Sequence, residues 1–63
     1  MSYHKCTWQK GKVKVTGGYS YNWAGDYFNI TLDKKDELTG RIREFRVYGD
    51  EPNFNGFKII KEE

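Results

Sequence analysis

Sixty-three residues with a formal charge of +2 make one small domain spanning 1–63, in which folding buries only about 60% of the unfolded surface. Val, Ile, Leu and Phe supply 13 of the 63 residues, just above the level of about 20% below which disorder is expected. The eleven aromatic residues lift the chain clear of that class, because each can bury about 150–250 Å². So small a core leaves little scaffold for a walled cleft, and catalysis and a bound cofactor are not expected.

The N-terminal stretch from Met1 to Trp8 lacks the apolar centre of a secretory signal, and no apolar run nears the roughly 20 residues that span a bilayer. A single cysteine, Cys6, excludes an internal disulfide. Small secreted domains normally carry several, so a reducing cytoplasmic setting without a membrane is expected. Tyr3 to Trp8 reads as a first strand with Trp8 turned inward. His4 and Cys6 would then share a face, but a structural zinc site needs four ligands and no second His or Cys exists, so no metal is expected. The same pair lacks the third orienting group and the oxyanion donors that nucleophilic catalysis needs.

Lys12 to Thr16 alternates apolar and polar with period two, placing Val13 and Val15 inward and Lys12, Lys14 and Thr16 outward. Gly17-Gly18 reads as an interruption. Tyr19 to Trp23 then alternates rings with small polar residues, so Tyr19, Tyr21 and Trp23 fall on one face of a further strand. Ala24-Gly25-Asp26 supplies a turn, and Tyr27 to Leu32 is a strand with Phe28, Ile30 and Leu32 on one side. Asn29-Ile30-Thr31 matches a glycosylation sequon, but its place inside this strand argues for coincidence.

Residues 33–46 admit two competing readings. Asp33 could cap a helix with Leu38, Ile42 and Phe45 along one side, yet Gly40 would sit mid-helix at a cost near 1 kcal/mol. The alternation of Phe45-Arg46-Val47-Tyr48 favours a turn, or one helical turn, over 33–39 and a strand over 41–48. Ile42 falls out of register with Phe45 and Val47, which predicts a β-bulge near Arg43-Glu44. Residues 49–53 form a loop, Asn55-Gly56 a tight turn, and Phe57 to Ile60 a last short strand, with Glu62 and Glu63 fraying.

These elements predict a mainly β fold, an antiparallel meander of five or six short strands, barrel-like or strongly twisted in the manner of SH3-like or OB-like domains. That comparison is architectural, since the signature residues of those families are absent. The glycines show no phosphate-loop spacing.

Charge is uneven along the chain: residues 1–25 carry +4, 26–40 carry −2, 41–49 carry +2 and 50–63 carry −2. The rings Tyr19, Tyr21, Trp23 and Tyr27 lie close in sequence to Lys10, Lys12 and Lys14, a pairing suited to stacking on bases and neutralising phosphates. These rings are also needed by a core with nine large aliphatic residues. Arg41, Arg43 and Arg46 form a second cationic group, suited to bidentate contact with phosphate or carboxylate or to pairing with nearby acidic side chains. The expected function is a non-enzymatic binding module. Its surface of Tyr, Trp, Arg and Lys would contact another protein or a second copy of the chain; the alternative is single-stranded nucleic acid or RNA. A charge of +2 with acidic segments interleaved favours protein.

Overall fold

The period-two alternation of the chain builds strands throughout, and a computed structural model, which describes residues 3–22 and 27–63, assembles them into one sheet. The strands are β1 (Tyr3–Lys10), β2 (Val13–Asn22), β3 (Tyr27–Lys35), β4 (Ile42–Tyr48) and β5 (Lys58–Glu62). Their order is β4-β3-β2-β1-β5, with every neighbouring pair antiparallel. The sheet is twisted and curled but not closed, and β4 and β5 remain as its edges. Among the described residues there is no helix, and so none long and apolar enough to cross a membrane.

Residues directly opposite one another share a face, and the register therefore sorts the side chains. The inner face carries Cys6 and Trp8 of β1, Val15 and Tyr19 of β2, Phe28, Ile30 and Leu32 of β3, and Phe45 and Val47 of β4. Cys6, Trp8, Ile30 and Leu32 are buried there, and Phe54, from the loop between β4 and β5, is buried with them. That loop must cross from one edge of the sheet to the other, and it passes over the inner face. Phe54 stacks between Phe45 and Phe57 at centroid distances of 4.6 and 5.2 Å and meets Trp8 edge-on at 5.4 Å. Trp8 Nε1 donates to the Pro52 carbonyl at 2.8 Å, so the buried indole keeps its polar atom satisfied and pins the loop. The loop ends in a hairpin turn, Phe54-Asn55-Gly56-Phe57, where Asn55 and Gly56 take φ of 47° and 82° as a type I′ turn requires.

Several expectations need correction. Gly17-Gly18 does not interrupt the chain; both lie inside one ten-residue strand, β2. A Cβ on Gly17 would stand 2.2 Å from the Thr31 carbonyl oxygen and 2.8 Å from Leu32 Cα, so its absence lets β3 pack close. Gly18 lies under the ring of Tyr3, which fills the space a side chain would take. The predicted bulge is also misplaced. β4 alternates regularly from Ile42 to Tyr48, and the register shift falls in β3 between Thr31 and Lys35. Ile42 consequently leaves the core and is 41% exposed. Val13 faces inward by alternation yet is exposed, because it lies beyond the last residue of β2 that pairs with β3. Glu62 does not fray: it belongs to β5 opposite Cys6, and the Glu63 N–H donates to the Lys5 carbonyl at 2.9 Å. β3 continues to Lys35, so the next turn starts at Asp36, closed by the Gly40 N–H on the Asp36 carbonyl at 2.8 Å. The predicted turn at Ala24-Gly25-Asp26 lies outside the described residues.

Candidate interaction surfaces

The chain neighbours Lys10, Lys12, Lys14 and Tyr19, Tyr21 are separated by the strand that joins them. At about 3.3 Å per residue, Tyr21 sits roughly 23 Å along β2 from Lys14. Lys10 ends β1 with its stem beside Gly56, Lys12 lies in the β1–β2 turn, and Lys14 is exposed on β2. Trp23 lies outside the described residues.

Tyr19 is an inner-face residue. It stacks on His4 at 5.1 Å, meets Phe28 edge-on at 5.6 Å, and donates its hydroxyl to the Glu62 carboxylate. Burial, reinforced by that hydrogen bond and the carboxylate charge, pushes its phenol up to about 12. Tyr21 is 44% exposed, with its ring 5.0 Å from Phe28. Cys6 beneath them is buried, and desolvation with the nearby Glu62 charge raises its thiol to about 11. A thiol so raised is protonated near neutral pH and is a poor nucleophile. Among the described residues no three His, Cys, Asp or Glu side chains gather as metal ligands.

The three arginines part company as well. Arg41 precedes β4, where its N–H donates to Thr39 Oγ1. Arg43 shares the inner side of β4 with Phe45, its guanidinium 5.4 Å from the ring centroid. Arg46 points to the outer face, 4.3 Å over the ring of Tyr27.

That outer face forms the first surface. Its rows run Tyr3, Ser20, Asn29, Arg46 and Asn22, Tyr27, Tyr48 across β1 to β4. Tyr27 and Tyr48 lie 5.6 Å apart, and Asn22 Nδ2 donates to the Tyr27 hydroxyl at 2.8 Å. Tyr48 is 66% and Tyr3 53% exposed, and among the described residues no side chain on this face is buried. Burial, together with the Asp33 charge, raises the Tyr3 phenol, so it stays a neutral donor. A shallow depression of about 260 Å³ between β3 and β4 brings Asn29, Thr31, Glu44 and Arg46 together. No spacing in the sequence marks Tyr3, Tyr27 and Tyr48 as a set; only the register of four strands aligns them.

The second surface is a groove of about 500 Å³ at the opposite end of β2 and β3. Its lining includes Val13, Val15, Leu32 and Leu38 with Lys14, Lys34, Lys35 and Arg43. Two of the sequence-predicted cations, Lys14 and Arg43, meet here. Asp36 and Glu37 also line it. The Asp36 carboxylate accepts the backbone N–H groups of Leu38 and Thr39 at 2.8 and 3.0 Å, which hold its carboxyl below the usual range. Glu37 faces Lys34 at 3.7 Å.

No protein-family model, curated protein or solved structure matches the chain.

Proposed function

We propose that the chain is a small non-enzymatic binding module whose outer sheet face contacts another protein. The observation that carries this reading is that two neighbouring rows place Tyr3, Arg46, Tyr27 and Tyr48 on a face where, among the described residues, no side chain is buried. Tyr and Arg dominate interface energetics because rigid rings and planar guanidinium groups cover area at small entropic cost. The Arg46 guanidinium already rests over the Tyr27 ring, 4.3 Å from its centroid, so less ordering is left to be done on binding. The patch also contains Glu44; of the lysines of the first third, Lys5, opposite Gly18, stands on this face near Tyr3, while Lys10, Lys12 and Lys14 lie toward the other end of β1 and β2. Mixed charge of this kind favours a protein partner over nucleic acid, which needs a continuous run of cations beside the stacking rings.

The test compares the wild-type chain with an Arg46→Ala/Tyr48→Ala variant in affinity capture, at low salt and at about 0.5 M salt, where charge contacts between exposed groups are largely screened. A defined partner, or a second copy seen by sedimentation, should be retained at high salt by the wild type and lost by the variant. An oligonucleotide that quenches tryptophan fluorescence at micromolar protein with a steep salt slope would replace this reading with the nucleic-acid one. Identical capture by both chains would remove the outer face as the site.

A further inference from the structure

The pairing of β2 with β3 runs from Asn22 opposite Tyr27 to Gly17 opposite Leu32 and stops there. Both strands continue past that point, β2 through Thr16 to Val13 and β3 through Asp33 to Lys35. The two extensions lie on either side of the 500 Å³ groove. In an antiparallel ladder every second residue turns both its N–H and its C=O to a given neighbour. β1 takes one set from Val13–Thr16, and β4 meets β3 in this stretch only at Lys35 opposite Ile42. Among the described residues, the sides of the two extensions that face the groove have no strand opposite them. An unpaired strand edge is a template for another chain, and here two such edges border one cavity.

We propose that this split accepts an extended acidic peptide as an added strand. The length of the free edge sets the size of the occupant. Four residues of β2 span about 13 Å, which matches four or five residues of extended chain. The floor supplies pockets for alternate side chains, as strand-addition sites do: Leu32 and Val15 lie deep, while Val13 and the 97% exposed Leu38 stand at the rim. Charge then selects the peptide. Of the two carboxylates on the lining, Asp36 is occupied by backbone N–H groups and Glu37 by Lys34. Lys14, Lys35 and Arg43 have no carboxylate at ion-pair distance among the described residues. Acidic side chains alternating with apolar ones would meet these cations and the floor in turn. Among the described residues no aromatic ring lines the groove, so they offer no stacking surface for bases, and this distinguishes it from a nucleic-acid channel.

The experiment titrates isotope-labelled protein with a peptide of about ten residues in which glutamate and valine alternate, and follows each backbone amide by NMR. Shifts and slowed hydrogen exchange should appear within 13–16 and 33–38, with the outer-face residues Tyr27, Arg46 and Tyr48 unmoved. A lysine–valine peptide, or a glutamate–valine peptide interrupted by prolines that remove its N–H donors, should bind at least about tenfold more weakly. The Lys14→Glu/Lys35→Glu variant changes two exposed side chains and should fold normally; in it the preference between the acidic and basic peptides should reverse. Equal binding of all peptides, or shifts confined to the outer face, would overturn the proposal. So would an oligothymidylate that perturbs the same amides more strongly. Peptide-free, concentration-dependent shifts of these amides would assign the groove to a second copy and overturn it too. Because the outer-face variant Arg46→Ala/Tyr48→Ala should bind the acidic peptide normally, this result and that of the capture experiment can fail independently.

Discussion

The two halves of β2 have been built to opposite specifications. From Gly17 to Ser20 the strand pairs with both β1 and β3, Tyr21 and Asn22 continue the pairing with β3, and the strand gives up side chains at Gly17 and Gly18 to bring its neighbours close. From Val13 to Thr16 it keeps its side chains, pairs with β1 alone, and leaves one edge and the Val13 side chain open to solvent. Continuous pairing at one end and separation at the other come from one register. Gly17 is the pivot, since the close approach of Thr31 and Leu32 at that residue is the last contact before the strands diverge. The core spans both halves, with Trp8 opposite Val15 and Cys6 opposite Gly17, but the available backbone is concentrated in the open one.

The sharpest way to break this contrast is at the pivot. Gly17→Ala places a methyl group against backbone atoms of β3, at 2.2 Å from an oxygen and 2.8 Å from a Cα, and neither can rotate away. Strain of this kind costs about 1–3 kcal/mol and occasionally more, a large part of the stability of a domain this size. Urea denaturation should show a midpoint shift of that size. Gly18→Ala is the control one residue along. There the added methyl meets the far end of the Tyr3 side chain at 2.3–2.6 Å, and that ring can swing outward. The change also removes about 0.4–1 kcal/mol of unfolded-state freedom, so the net effect should be small and of either sign. If both variants lost stability equally, the close approach of β3 would not be what sets Gly17 apart.

A second test uses pH against the closed half. The Tyr19 phenol rises from 10.0 to about 12 and the Cys6 thiol from 9.0 to about 11. For an acidic group whose folded value is raised, the neutral form is favoured by folding. Its contribution is complete below the unfolded value and is lost as pH climbs through the folded one. Stability should therefore hold at neutral pH, begin to fall near pH 9 and decline through pH 12 as Cys6 and then Tyr19 ionise in the unfolded chain ahead of the folded one. Tyr19→Phe should flatten the upper part of this decline while leaving the part due to Cys6. A tyrosinate absorbance titration of Tyr19 centred at its ordinary value would contradict the arrangement.

How much of the molecule is legible in the sequence depends on the range of the interactions responsible. The strand at Tyr27 to Leu32, the inward Trp8 and the Asn55-Gly56 turn are local patterns, and each is present. Gly17-Gly18 is legible as unusual but not as a close approach, because the atoms that make it so, in Thr31 and Leu32, lie fourteen or more positions along the chain. Phe54 sits among turn residues with no periodicity, and its burial depends on Trp8, Phe45 and Phe57. The basic and aromatic residues of the first third look like a cluster in one dimension, yet an extended strand draws them apart at about 3.3 Å per residue. The outer-face tyrosines and the groove cations behave in the reverse way, distant in sequence and gathered by register.

The smallest expected effect on stability separates folding from binding at the open end. Lys34 and Glu37 face each other at 3.7 Å with their side chains 85% and 83% exposed, and an exposed pair of this kind contributes about 0–1 kcal/mol, with i,i+4 helix pairs near 0.3–0.5. Glu37→Gln should leave the urea midpoint almost unchanged, because no buried group loses a partner. The same substitution removes one negative charge from the groove lining and releases Lys34 to join Lys14, Lys35 and Arg43. Affinity for the glutamate–valine peptide should then rise by about two- to fivefold at low salt, and the gain should shrink as ionic strength screens it. A variant that is silent in unfolding yet tighter in binding would place Glu37 among the residues that set the groove's charge. A variant that instead unfolds more easily would mean that the ion pair holds the Asp36–Gly40 turn, and with it the rim of the groove, in place.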